Sequence, residues 1–307
     1  MLDIMALFRS LPPSIAQGII WGIMAIGVYI TFKILDFADL TVDGSLALGG
    51  SVAVMLILGG MQPGIALIFA TGAGLLAGLV TGILHTILGI PDILAGILSQ
   101  IALYSINMNI MGKSNAAISI DNYHLVVSLR YINTAIIVGL IFLAAIVCIL
   151  YWFFGTELGY TIRATGCNEA MSRAQGINTN TAKIIGLALS NGLVGLSGGL
   201  IAQYQGYSDV NMGRGAIVIG LAAVIIGEVI GDALLGKRLN FAGRLIFAAI
   251  GAVIYYVVIT FVLWLGLPSQ DMKLFSAIVV ALFLAVPYLR GKSVSSFKKA
   301  ARKGASV

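Results

Sequence analysis

Hydrophobic positions along the chain gather into nine runs, at about 15–35, 45–61, 64–88, 92–111, 133–154, 181–205, 215–231, 242–265 and 273–289. Each is near the roughly 20 residues that cross a bilayer's hydrocarbon core. The runs are separated by Pro63-Gly64, Pro91-Asp92, the polar stretch 112–132, the charged stretch 157–183 and Pro268. The pattern predicts an all-α integral membrane protein, a polytopic bundle of about nine spans in a single transmembrane domain (residues 1–290), followed by a basic tail (291–307). The runs 45–61, 215–231 and 273–289 are short enough to be half-helices. MLDIMALFRSLPPS, the first fourteen residues, has one Arg and no small-residue cleavage site, which points to a retained first span.

Two of the breaks look alike. LDFADLTVDG (35–44) places Asp36, Asp39 and Asp43, a quarter of the chain's twelve acidic residues, between two apolar runs, the second rich in glycine. The stretch around Asp209, Asn211, Gly213 and Gly215 does the same in the second half. A pair of interrupted apolar segments of opposite sense points to a central translocation path. Gly74/Gly78/Gly82, Gly195/Gly199 and Gly227/Gly231 repeat every fourth residue, the spacing that lets helices approach closely in lipid.

Composition agrees with the pattern: 59% of residues are hydrophobic and 10% charged, against about 25% charged in soluble domains. The net charge of +6 does not indicate nucleic acid, because six of the eighteen Lys/Arg lie in the final RGKSVSSFKKAARKGASV, suited to anionic lipid or cytosol. With that tail in the cytosol, nine spans place thirteen Lys/Arg inside, among them Lys33, Arg163, Arg173 and Lys183, and five outside, including Arg214. This is a positive-inside bias, and the odd span number sets the N-terminus outside.

No catalytic or metal-binding constellation emerges. His85 and His124 have no Cys or carboxylate at ligand spacing, and Cys148 and Cys167 do not pair by spacing. MGKSN (111–115) contains Gly-Lys-Ser, but the glycine a phosphate loop requires five residues earlier is Asn107. Polar residues within the runs face the bundle interior or a water-filled cavity. Interhelical hydrogen bonding is their commoner role. Asp39, Asp43, Asn107, Asn191 and Gln203 are the candidates for a translocation path. Asp36 and Asp39 are expected at the membrane edge near Lys33, with Asp43 as N-cap of the helix that follows. Glu228 and Asp232 are expected to pair with Lys237 or Arg238.

The charged stretch ELGYTIRATGCNEAMSRAQGINTNTAKIIGLALSNG (157–192) carries strong helix punctuation. Asn168 is a good N-cap, Glu169 suits the positive helix start, and Gly176 with Ile177 makes a Schellman-type stop. Glu169 and Arg173 stand four apart and can pair. A two-turn helix over about 169–175 is predicted, with Asn178 or Thr179 capping the next span.

LGYTIRATGCNEAMSRAQGIN resembles the cytosolic loop of permease subunits in the ABC importer family that moves branched-chain amino acids, ribose and related solutes. Leu158, Gly159, Arg163, Ala164, Gly166, Asn168, Ala170, Gly176, Ile177 and Asn178 stand at matching positions, and the likeness extends over about 15–290. It is nearest a sub-branch linked to aromatic amino acid (tryptophan or tyrosine) uptake. The resemblance implies a multi-pass bacterial plasma-membrane subunit with a cytosolic C-terminus and no catalysis of its own. It implies a second permease copy, an extracytoplasmic solute-binding protein or lipoprotein, and a cytosolic ATP-binding subunit that carries ATP and Mg; this chain itself holds no cofactor. The loop at about 157–180 would couple to that ATPase through Arg163, Gly166, Asn168, Glu169, Arg173 and Gly176. The alternative reading is an ion-coupled secondary transporter with the aspartate cluster as its ion site.

Overall fold

A computed structural model describes residues 4–119, 122–236 and 239–265, with isolated helical positions between 274 and 285. Helix α1 (Ile4–Tyr29) runs into a π-helical turn (Ile30–Ile34), then an irregular break (35–40) leads to α2 (Thr41–Leu58). Helices α3 (Pro63–Thr86) and α4 (Asp92–Met111) follow, then β1 (Asn115–Ala117) and α5 (Ile132–Phe153). Next come the short helices α6 (Glu157–Cys167) and α7 (Glu169–Ala174), the long α8 (Thr179–Gln205), β2 (Tyr207–Asp209), α9 (Ala216–Leu234) and α10 (Phe241–Trp264). Eight helices among the described residues are long and apolar enough to cross a membrane, so the molecule is a polytopic helical membrane protein. The predicted run at 273–289 and the basic tail lie largely outside the described residues.

Helix α8 is the axis, packed against α1, α2 and α3. The α3–α8 seam is a glycine contact. A Cβ on Gly74 would collide with the Asn191 carbonyl, and one on Gly78 with that of Leu187. Bare backbones here gain the close van der Waals contact that drives association in lipid. Helices α9 and α10 pack on the other flank of α1. Helix α1 begins before residue 15 and continues through Pro12 and Pro13. The carbonyls these prolines leave without an N–H partner, on Phe8 and Arg9, belong to exposed residues where solvent or headgroups satisfy them.

Contacts fix the direction of each helix. Tyr204, at the end of α8, donates its hydroxyl to the Pro13 carbonyl at 2.9 Å. Gly166, before the start of α8, lies against Ile34 at the end of the π-helical turn. Helix α1 therefore runs antiparallel to α8. One end of the bundle carries Lys33, Arg163, Arg173 and Lys183. At the other end β1 pairs antiparallel with β2, Ala116 opposite Ser208, tying two connections together.

Candidate functional site

Both breaks start a helix part-way through the bundle. After the π-helical turn the chain doubles back, Asp36 taking φ 54°, a left-handed conformation that aspartate tolerates. Asp39 Oδ1 accepts the Thr41 N–H at 2.9 Å, satisfying one of the open donors at the start of α2. Its Oδ2 accepts from Asn191 Nδ2 at 2.6 Å, and Ser45 Oγ donates to Asn191 Oδ1 at 2.7 Å. Asn191 sits at the middle of α8, so α2 begins near mid-depth. This corrects the expectation for Asp39: it is 2% exposed inside the bundle, not at the membrane edge.

The second break mirrors the first from the opposite end. After β2 the chain turns back inward, and a Cβ on Gly213 would collide with the Asp43 carbonyl. Asp43 does not cap its own helix as expected. It is the third residue of α2, and its carboxylate oxygens accept the N–H groups of Gly215 and Ile217, each at 2.9 Å, at the start of α9. Aspartates thus serve both half-depth helix starts, where open donors and the helix dipole favour negative charge. Asp36 is exposed, so the three acids do not converge on one point, and no group of three or more His, Cys, Asp or Glu forms among the described residues.

Beside Asp43, a cavity of ≈ 310 Å³ opens toward α4. Its walls include Asp43, Gly44 and Asn107, the α4 residues Gln100 and Tyr104, and Arg214. Arg214, which span parity expects on the outer side, lines this cavity at the end of the second break. Its flanking glycines, Gly213 and Gly215, were the available signal. Asn107 is fully buried; its Nδ2 reaches the Gly44 carbonyl at 3.4 Å, while its Oδ1 has no hydrogen-bond partner. Gln203 stands apart from the cavity: it accepts from the Val126 N–H at 3.0 Å and donates to the Pro63 carbonyl at 3.1 Å, holding two connections together.

At the opposite end lies the charged stretch. Helix α7 forms where its caps predict it. Asn168 Oδ1 accepts the Met171 N–H at 2.9 Å, and Gly176 (φ 83°) ends the helix with Ile177 N–H to Ser172 O and Gly176 N–H to Arg173 O, both 3.0 Å, a Schellman motif. Asn178 caps α8 through the Thr181 N–H at 3.1 Å. Helix α6, before it, goes beyond what local sequence predicts, because Gly159 and Gly166 argue against a helix there. Tertiary contact requires both glycines: a Cβ on Gly159 would clash with Phe154, and one on Gly166 with the Ile34 carbonyl.

Ionic contacts clasp this bracket to the spans. Glu169 Oε1 accepts from Arg173 at 2.7 Å, and Oε2 accepts from Lys183 Nζ at 2.9 Å. Arg173 Nε donates to Thr179 Oγ1 at 2.8 Å, and Lys183 Nζ lies 3.2 Å from His85 Nε2 at the end of α3. The Lys183 hydrogen bond, with the positive charges around it, holds the Glu169 carboxyl below its ordinary value against the opposing effect of partial burial. The Arg163 guanidinium lies 4.2 Å from the centre of the Phe241 ring and 5.3 Å from that of Phe154, tying α6 to the foot of α10. Glu228 pairs with Lys33 at 2.7 Å; Lys237 and Arg238, its expected partners, are outside the described residues.

Apolar helices packed through glycine, two opposed helices that begin inside the bundle and a polar cavity between their starts make up the architecture of a membrane permease. The sequence comparisons identify which kind. Residues 13–287 match the family described as branched-chain amino acid transport system / permease component, and the chain belongs to that family. It is 42% identical over 273 residues to the tyrosine transport system permease protein of Clostridioides difficile (strain R20291), covering 88% of each chain. An uncharacterized protein of Rickettsia prowazekii (strain Madrid E) is 33% identical, over 89% of this chain and 95% of its own. The ribose import permease protein of Escherichia coli (strain K12) is 29% identical, over 86% of this chain and 81% of its own. No solved structure matches the chain.

Proposed function

We propose that the chain is the membrane-spanning subunit of an ATP-driven importer for a small organic solute, an amino acid such as tyrosine or tryptophan, handed over by an extracytoplasmic binding protein. The observation that carries this reading is the α6–α7 bracket. It exposes Leu158, Tyr160 and Met171 at 52%, 62% and 58%, an apolar surface unusual on a charged connection and suited to a protein partner. A groove of ≈ 210 Å³ lies beside it, between Leu158 and Ile162 of α6 and Thr181 and Ile185 of α8. The same bracket rests on the end of the π-helical turn, through Gly166 on Ile34, and on the start of α8, through Glu169 on Lys183. A cytosolic ATPase subunit docked here, binding ATP and Mg itself, would push directly on α1, α3 and α8. Arg163, Gly166, Asn168, Glu169, Arg173 and Gly176 shape that contact. The path runs past α4, a span with only 28% of its apolar window buried, toward which a second copy would present its own α4. Asp39, Asp43, Asn107 and Asn191 set its mid-depth geometry, and Gln203 supports its outer end.

The 42% identity to a tyrosine permease over nearly the whole chain favours an amino acid over the sugar named for the ribose relative. An ion-coupled carrier finds less support, since Asp36 is exposed and Asp39 and Asp43 serve different helix starts, so the three acids form no common ion site. The test is reconstitution of the chain with its ATPase and binding protein in proteoliposomes. Uptake of L-tyrosine or L-tryptophan that requires ATP and both partners is expected. Uptake by the chain alone, driven by a proton or sodium gradient, would refute the assignment.

A further inference from the structure

The cavity beside Asp43 shows unusual chemistry for the middle of a membrane protein. Arg214 has no ion pair among the described residues; its guanidinium carbon lies 6.0 Å from the centre of the Tyr104 ring. Arg214 is exposed on the open side of the cavity, and intramembrane charges are as a rule paired or set toward a substrate pathway. Asn107, in the cavity wall and fully buried, has no partner for its Oδ1, and an unmet buried acceptor costs about 1–3 kcal/mol. Asp43 adds a carboxylate that is only partly neutralised by its two α9 N–H groups, each oxygen retaining accepting capacity. The walls thus ask for an anion at one point and for hydrogen-bond donors at another.

We propose that this cavity binds the transported solute as a zwitterion, Arg214 holding its carboxylate and Asn107 Oδ1 with Asp43 holding its ammonium group. The assignment rests on the permease reading above and names the side chains that would hold its amino acid. A neutral sugar would leave Arg214 unpaired. A carboxylic acid without an amine would leave Asn107 Oδ1 empty and set its charge beside Asp43. An α-amino acid meets both demands, with its side chain against Ile101 and the Tyr104 ring, and the ≈ 310 Å³ volume is at the small end of ligand sites, roughly 300–1,000 Å³.

Saturation-transfer difference NMR on the full chain in nanodiscs tests this with six probes: L-tyrosine, L-tryptophan, L-leucine, tyramine, 3-(4-hydroxyphenyl)propionate and D-ribose. At least one amino acid is expected to bind, with tyramine and the propionate each about tenfold weaker or more than L-tyrosine when tyrosine is that ligand. Arg214→Gln should weaken the amino acid about tenfold or more without weakening tyramine further, and Arg214→Lys should restore part of the loss. Asn107→Leu should weaken the amino acid while leaving the propionate unchanged. Binding of ribose in place of all three amino acids would overturn the proposal. So would Arg214→Gln and Asn107→Leu variants that bind like the wild type or lose every probe equally. ATP-driven uptake in the reconstituted complex is read separately, so a failure of this site with uptake intact overturns the zwitterion site alone.

Discussion

Replacing Asn191 with leucine keeps the branched side-chain shape in a somewhat larger volume and removes two hydrogen bonds that join α8 to the first break and α2. Asn191 joins the first break to α8: it donates to Asp39 at 2.6 Å and accepts from Ser45 at 2.7 Å. Asn191 and Ser45 are fully buried and Asp39 is 2% exposed, so water does not replace either bond. A hydrogen bond to a charged group contributes about 1.5–3 kcal/mol. An ordinary interhelical bond in a membrane protein contributes about 0.6 kcal/mol. Losing both should therefore destabilise the fold by about 2–4 kcal/mol, with protonation of the stranded carboxylate preventing a larger loss. Asp39→Ala should also be destabilising, since it strips the start of α2 of an acceptor worth about 1 kcal/mol. The double variant should be less damaged than the sum of the two, because the carboxylate that Asn191→Leu strands is then absent. A coupling energy of about 1 kcal/mol or more is expected. SDS-driven unfolding in mixed micelles, followed by tryptophan fluorescence, gives all four stabilities. An Asn191→Leu variant within about 0.5 kcal/mol of the wild type, or a strictly additive cycle, would refute this account of the break.

Three further outcomes follow from the same contacts. Gly78→Ala should destabilise by about 1–3 kcal/mol through overpacking against the Leu187 carbonyl, whereas Gly72→Ala on the same helix, with nothing near its Cβ, should be neutral or stabilising by up to about 1 kcal/mol; the same SDS titration separates them. Asp43→Ala should leave the Gly215 and Ile217 N–H groups without acceptors, read as faster amide hydrogen exchange over 215–219 with little change in α10. Because the Glu169 carboxyl titrates below its ordinary 4.5, its clasp on Arg173 and Lys183 contributes fully above that value and is lost as pH falls through the lowered one; Glu169→Gln should abolish this acid dependence of α7 protection at a cost of about 1 kcal/mol or less at neutral pH.

Local chemistry made much of this protein legible before any packing was known. The apolar runs determined the membrane class and the positions of eight described spans, because a segment in lipid must satisfy its backbone within a helix and cover it with apolar side chains. Asn168, Gly176 and Asn178 determined α7 and the start of α8, since caps act within three or four residues of themselves. The fourfold glycine spacing announced close helix packing. Partners distant in sequence were decided by the tertiary structure alone. Asp43 reads as the cap of its own helix and instead serves α9, some 170 residues away, because the second break descends to meet it. Asp39 reads as an edge residue and is enclosed, because the first break returns to the middle of α8. Helix α6 runs against the local cost of Gly159 and Gly166, and only the nearness of Phe154 and Ile34 explains both glycines. Span parity gives Arg214 a side but not its neighbours, and only the fold sets it beside Tyr104 and Asp43 in one cavity. Propensity, capping and hydropathy act over a few residues and are written along the chain; the meeting of two half-depth helix starts around a cavity depends on backbone approach distances that exist only once the bundle has formed.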